Sequence, residues 1–302
     1  MYFLKRLVFT IPLLLVISLL AFVLMHVAPG SPFDRERAPA SPEIEQNLKA
    51  KYHLDEPIGK QYLRYVGNLA RGDFGPSLKY RAHTVNDVIA QALPVSLTLG
   101  GLAFCFAMGL GLPLGFVTAV KRGRWQDYGG SLFAVLMVCI PGFVLAPILI
   151  VLFAIKWHLL PVALWGSPAQ TILPVIALGL YFSGRIARLF REGMLNAMQG
   201  EFITTARSKG LTENAVLLKH ASRLAILPVI SYAGPMLADL LTGSFVIENI
   251  FQIPGLGVFL VNGSINRDYT MVVGLVLLYA TLLVGMNLLV DFIYVWLDRR
   301  VK

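Results

Sequence analysis

The chain has 302 residues, of which 56% are hydrophobic and only 14% charged. A soluble domain carries roughly 25% charged residues, and a mean hydropathy of +0.68 is not sustained by a water-soluble fold of this length. A disordered chain, a collagen-like fibre and a standard cytosolic enzyme are excluded, and a polytopic membrane protein remains.

Runs free of Asp, Glu, Lys and Arg cover 7–33, 88–120, 128–155, 157–184, 224–238 and 269–290. A bilayer core takes about 20 apolar helical residues. Five of the six runs suffice alone, and the run from 224 suffices if its helix continues through Asp239 to Ile247. Helix is the open-chain structure that satisfies its own backbone in lipid, so six transmembrane helices are predicted. The first run, after Lys5 and Arg6, exceeds the roughly 7–15 apolar residues of a signal peptide, which favours an uncleaved first helix.

Lys and Arg in the short loops set the orientation. With the N-terminus inside, the cytoplasmic segments 1–6, 121–127, 185–223 and 298–302 hold 15 basic and 5 acidic residues. The short outside loops hold only Lys156 and Arg267. The net charge of +9 is therefore a topology signal and not a nucleic-acid footprint. Both termini are expected in the cytoplasm.

Residues 34–87 have soluble composition. Ser41 and Pro42 read as the start of a helix with Glu43 and Glu45 in its first turn, and Ile44, Leu48 and Tyr52 on one face. A second amphipathic pattern runs through Ile58, Tyr62, Tyr65, Val66 and Leu69 and ends in the turn chemistry of Gly72-Asp-Phe-Gly-Pro-Ser. Both suit a small helical cap on the outer face. Segment 185–223 is longer than a connector needs, with a helical stretch, a break at Gly210-Leu-Thr and a helix start at Thr212. It reads either as an amphipathic hairpin holding Arg185, Arg188 and Arg191 against anionic lipid, or as a docking element for another protein. The outer stretch 249–268 is apolar yet rich in turn residues, which favours a re-entrant or gate-like loop covered by protein or lining a wet cavity.

Chemical signatures are absent. There is no GxxxxGK[ST], HExxH or GxSxG pattern, and the five histidines are scattered. Cys105 and Cys139 lie in apolar runs outside any ligand spacing and read as small core residues. No internal repeat is evident. Gly111-Leu-Pro-Leu-Gly115 fits small-residue helix packing, though chance explains it as well among 27 glycines. Among the acids of the apolar runs, Glu248 and Asp291 fall near helix ends, where partial solvation is expected. Asp239 is deep, and is either a cavity-lining contact for a positively charged substrate group or a polar partner to a neighbouring helix.

Thr204-Thr-Ala-Arg-Ser-Lys-Gly-Leu, with Ile226-Leu-Pro228 downstream, resembles the EAA loop of binding-protein-dependent ABC transporter permeases. Thr204 and Thr205 stand for the Glu and first Ala, Ala206 matches the second Ala, and Gly210 matches the Gly. The longer spacing to Leu-Pro is similar to that of the peptide and nickel branch. Lys51-Tyr-His-Leu-Asp-Glu-Pro, Gly72-Asp-Phe-Gly-Pro-Ser, Glu248-Asn-Ile-Phe, Pro254-Gly-Leu-Gly and Asn266-Arg-Asp-Tyr resemble the B-type membrane subunit of oligopeptide permeases. Asp239 departs from the small residue expected there.

The resemblance implies an all-α membrane protein of type I ABC importer architecture: a first helix in 1–33, an outer segment 34–87, and five helices in 88–302. It implies no catalysis and no cofactor on this chain, ATP being used by separate subunits. The implied partners are a second homologous permease, two cytoplasmic ATPases and an extracytoplasmic peptide-binding protein in a bacterial inner membrane. Thr204, Thr205, Ala206, Ser208, Lys209, Gly210 and Leu211 would form the ATPase-coupling loop. Asp239, Glu248, Phe251, Pro254, Gly255 and Gly257 are candidates for the pathway or its gate. Oligopeptides or dipeptides are the favoured substrates, with nickel or glutathione as alternatives. A stand-alone secondary transporter and an intramembrane enzyme are disfavoured by the scarcity of buried charge and of nucleophiles.

Overall fold

The computed structural model describes residues 2–27, 46, 50, 52–80, 83–242 and 245–297. Of the helix expected from Pro42, Gln46 and Ala50 are described and helical, and the rest of 42–51 lies outside the described residues. Among the described residues the regular elements are helical, apart from one isolated bridge between Pro76 and Thr84. In chain order they are α1 (Tyr2–Val27), α2 (Ile58–Leu69), α3 (Val85–Val120), α4 (Trp125–Cys139) and α5 (Gly142–Leu149), which runs into a π-helical turn (Ile150–Lys156). There follow α6 (Pro168–Met198), α7 (Glu201–Ser208), a single turn (Glu213–Ala215) with a π-helical turn (Val216–Ala221), and α8 (Ser222–Thr242). The last are α9 (Phe245–Ile250), α10 (Leu256–Ile265) and α11 (Tyr269–Leu297).

Helices α1, α3, α6, α11 and the stretch from Glu213 to Ile250 are long and apolar enough to cross a membrane, and the bent pair α4 and α5 makes a sixth span if it crosses as one. Two of the expected spans are corrected in form. Run 128–155 is not one straight helix, because α4 and the helix from Gly142 diverge by 101°. Pro141 pushes Ile140 out of the helical region to φ −93°, ψ 112°. Run 157–184 does not begin a helix at Trp157. Residues 157–167 form a loop with left-handed backbone at His158 and Leu164. α6 begins only where Pro168 takes the first helical position and Gln170 accepts a 2.9 Å hydrogen bond from the Ser167 amide.

The chain divides into two compact units, one from 1–96 and 254–284, the other from 97–253 and 285–302. In the first, α2 forms as its pattern predicts. The Tyr62 and Ser18 hydroxyls meet at 2.8 Å, and His26 Nε2 lies 3.1 Å from Gln61 Oε1. Phe22, Tyr65, Val273 and Leu277 form one core, and Val85, Val88, Ala92, Leu256, Met271 and Leu275 another. Asp268, fully buried, accepts from the Ser77 hydroxyl, from the amides of Leu78 and Lys79 (3.1 Å each) and from that of Met271 (3.2 Å). It ties the loop after α2 to the start of α11.

In the second unit, glycine brings helices together at backbone distance. A Cβ on Gly111 would stand 2.7 Å from the Ser183 carbonyl oxygen, and one on Gly115 would stand 2.5 Å from that of Ala187. On α6 itself, a Cβ on Gly179 would meet the Ala103 carbonyl oxygen at 2.9 Å, and one on Gly193 that of Ala225 at 2.7 Å. Gly111 and Gly115 are therefore a packing motif, and the chance reading is set aside. Lipid gives helices no hydrophobic reason to associate, so close backbone approach supplies the contact area. Cys105 and Cys139 are exposed on outer helix faces and not in the core. Their apolar surroundings reflect the composition of a membrane span, which is apolar on its outside as well.

Two substitutions separate packing from helix propensity. Gly115→Val should destabilise the detergent-solubilised chain by roughly 1–3 kcal/mol through overpacking. Gly109→Val, on the same helix with open space around its Cβ, should change the thermal unfolding midpoint little. In the first unit, Asp268→Ala should cost roughly 3 kcal/mol by leaving buried donors unpaired, measured as the same midpoint.

Candidate functional site

α6 extends well past the charge-free run, carrying Arg185, Arg188 and Arg191 as helical residues. The segment 185–223 is thus less loop than its composition suggests. Arg191 is not turned to lipid. Its guanidinium donates to both carboxylate oxygens of buried Asp127 at 2.9 and 3.0 Å, and Asp127 also accepts from the Gly123 amide at 3.0 Å. This bidentate pair fixes the first turn of α4 to α6.

α6 ends at Gln199 and Gly200, and α7 starts at once with Glu201 in the favourable first-turn position. Ile203 and Ala206 are the buried face of α7, which packs on the π turn Val216–Ala221. Thr204, Thr205, Ser208, Lys209, Gly210 and Leu211 are exposed, so six of the seven predicted coupling residues share an open surface. Phe202 and Leu211 add apolar area to it, 39% and 42% exposed. Gly210 ends the helix at φ +75°, its amide donating to the Arg207 carbonyl at 2.9 Å. A Cβ there would meet nothing within 4 Å. Within this chain, conformation and not space calls for glycine. Across the turn, Arg207 donates to Glu213 at 2.7 and 3.1 Å. The hydrogen-bonded carboxylate holds the Arg207 guanidinium above its ordinary pKa. Thr212 precedes the next turn as predicted, and its carbonyl, not its hydroxyl, accepts from Val216 at 3.0 Å.

The predicted gate residues are dispersed in character. Phe251 and Glu248 lie buried in the second unit, where Glu248 is 0% exposed. The partial solvation expected of Glu248 is corrected: the chain folds back, with the Ile253 amide bonding the Glu248 carbonyl at 2.8 Å and the Leu164 amide bonding that of Phe251 at 2.8 Å. Gly255 and Gly257 are buried and Pro254 exposed in the first unit, where Ser96 Oγ accepts from the Leu256 amide at 2.9 Å at the start of α10. Stretch 249–268 is thus not a continuous irregular loop: a turn at 251–255 joins α9 to α10, which fills 256–265. Asp239 is exposed on α8, within electrostatic reach of Arg185. The Arg185 guanidinium, one of the three that the hairpin reading turns to lipid, stacks 4.8 Å over the Tyr232 ring.

Helices long and apolar enough to cross a membrane, packed through glycine and joined by a short amphipathic helix, define a multi-pass membrane protein. The family model described as "Binding-protein-dependent transport system inner membrane component" matches residues 111–302. The chain belongs to that family, whose members are inner-membrane transport components and not enzymes. It is 45% identical over 300 residues to the oligopeptide transport system permease protein OppB of Haemophilus influenzae, covering 99% of this chain and 98% of the relative. It is 43% identical to OppB of Salmonella typhimurium, over 100% and 99% of the two chains. It is 42% identical to the dipeptide transport system permease protein DppB of Bacillus subtilis, over 100% and 97%. An inward-facing MetNI methionine ABC transporter chain shares the fold with a TM-score of 0.60 at 18% identity, covering 70% of this chain and 97% of that one.

Gly210 offers a graded test. Valine in the left-handed region costs roughly 1–2 kcal/mol, whereas Asn tolerates it. If backbone conformation is what matters, Gly210→Val should weaken ATPase capture in pull-downs from membranes and Gly210→Asn should retain it.

Proposed function

We propose that this chain is the transmembrane permease subunit of an ATP-driven importer, forming one half of the translocation path for oligopeptides or dipeptides. The names of relatives matched over nearly the whole chain support the peptide substrate. The observation that carries the mechanism is α7. It is a short helix with one face buried on its own chain and the other open, attached to the end of a membrane helix by two residues. Such an element suits the groove of a cytoplasmic ATPase, and any displacement of it passes directly to α6. ATP is bound and hydrolysed by two separate ATPase subunits. A second homologous permease completes the path, and an extracytoplasmic binding protein delivers the peptide. No cofactor sits on this chain. Both termini and α7 face the cytoplasm, and residues 34–87 face outside.

Two measurements check this. The purified chain should hydrolyse no ATP by itself, while the complex with its ATPases and second permease should do so. Hydrolysis by the isolated chain would contradict the reading. In a background lacking Cys105 and Cys139, Arg71→Cys should react with an impermeant thiol reagent on intact cells. Ser208→Cys should react only after permeabilisation, and the reverse pattern would invert the orientation.

A further inference from the structure

One face of α8 is uncovered and unlike a lipid-facing surface. Leu224, Pro228, Ser231, Pro235 and Asp239 recur at spacings of 4, 3, 4 and 4 and are all exposed. Ala225, Val229, Met236 and Leu240, on the other side, are fully buried. Pro228 and Pro235 lie inside the helix. Having no N–H, they leave the carbonyls of Leu224 and Ser231 without their helical donors. The same face ends in the carboxylate of Asp239. Beside it on α6, exposed Arg185 stacks on Tyr232 and donates to the Tyr181 hydroxyl at 3.5 Å. Charges and freed carbonyls within a span are costly against hydrocarbon and belong where water or a polar ligand meets them.

The spacing adds a size. Tyr232, which carries Arg185, and Asp239 are seven residues apart on α8, about 10 Å along the helix axis. An extended chain of three residues spans about the same. A peptide has an ammonium at one end, a carboxylate at the other and amide donors between.

We propose that Tyr181, Arg185, Tyr232, Ser231 and Asp239 form a peptide-contact track in the translocation path. Asp239 attracts cationic groups of the passing peptide, Arg185 attracts its carboxylates, and the freed carbonyls accept from its amides. The track deepens the peptide-import reading and rests on it. Neutralising one member leaves the other unopposed, so the track makes the importer sensitive to substrate charge in a direction set by the residue altered.

The test uses the complete importer in proteoliposomes, with uptake of the tripeptides Ala-Lys-Ala and Ala-Glu-Ala expressed as variant over wild type for each peptide. That ratio cancels the preference of the binding protein. Asp239→Asn should shift the ratio about fivefold toward the glutamate peptide, and Arg185→Gln about fivefold toward the lysine peptide, as loss of one partly screened charge gives. Arg185→Lys should stay near wild type. Equal loss for both peptides, or no change, overturns the track while leaving peptide import intact. Absence of uptake by the wild type overturns the import reading, and the track with it. If a charge variant fails to assemble, Ser231→Cys in the background lacking Cys105 and Cys139 decides. Reaction with a water-soluble thiol reagent, slowed by saturating peptide, supports the track. No reaction places the face against lipid or the second subunit and overturns it.

Discussion

Helices in a bilayer gain little by hiding apolar side chains from a solvent that is itself apolar, so their association depends on how closely the backbones approach. α6 meets this constraint on several sides. Gly111 and Gly115 of α3 sit on the carbonyls of Ser183 and Ala187, Gly142 approaches that of Ala177, and Gly193 receives that of Ala225 from α8. A Cβ on Gly111, Gly115 or Gly193 would fall within 2.7 Å of a backbone oxygen on the neighbouring helix, so a methyl group at any of those three positions would push two helices apart. The result is a central helix whose neighbours are held at their minimum distance along much of its length.

That rigidity gives α7 its meaning. A short helix on a flexible tether would move without consequence. Here only Gln199 and Gly200 separate it from α6, the Arg191–Asp127 pair braces the C-terminal part of α6 against the first turn of α4, and Ile203 and Ala206 seat α7 on the turn leading into α8. Displacing α7 therefore loads α6 and α8 together. These two helices also carry Arg185, Tyr232 and Asp239.

Much of this was legible in the residues. Charge-free runs located the spans, the Ile58–Leu69 periodicity located α2, and the glycine after Ala-Arg-Ser-Lys marked the left-handed end of α7. What escaped depends on tertiary pairing. A run without charges has no mark for where it bends, so the break at Ile140 rests on Pro141 alone, one proline among 17. Burial of Glu248 depends on the chain folding back at Phe251 and Ile253, which composition does not reveal. Asp268 and Ser77 sat in two separately noted motifs, Asn266-Arg-Asp-Tyr and Gly72-Asp-Phe-Gly-Pro-Ser. Their 191-residue separation hid the bond between them. Gly111 and Gly115 had the right spacing, and only the partner carbonyls distinguish them from Gly109. Hydrophobicity also misplaced the two cysteines, because within a membrane it does not separate inside from outside.

The claim that α7 is the element gripped by an ATPase is tested most directly by a photo-cross-linking amino acid at Phe202, on its open face, in cells producing the whole importer. Illumination should join this chain to a cytoplasmic ATPase subunit, and the same group at Leu132 on the exposed face of α4 should not. An ATPase adduct from Leu132 and none from Phe202 would contradict the account.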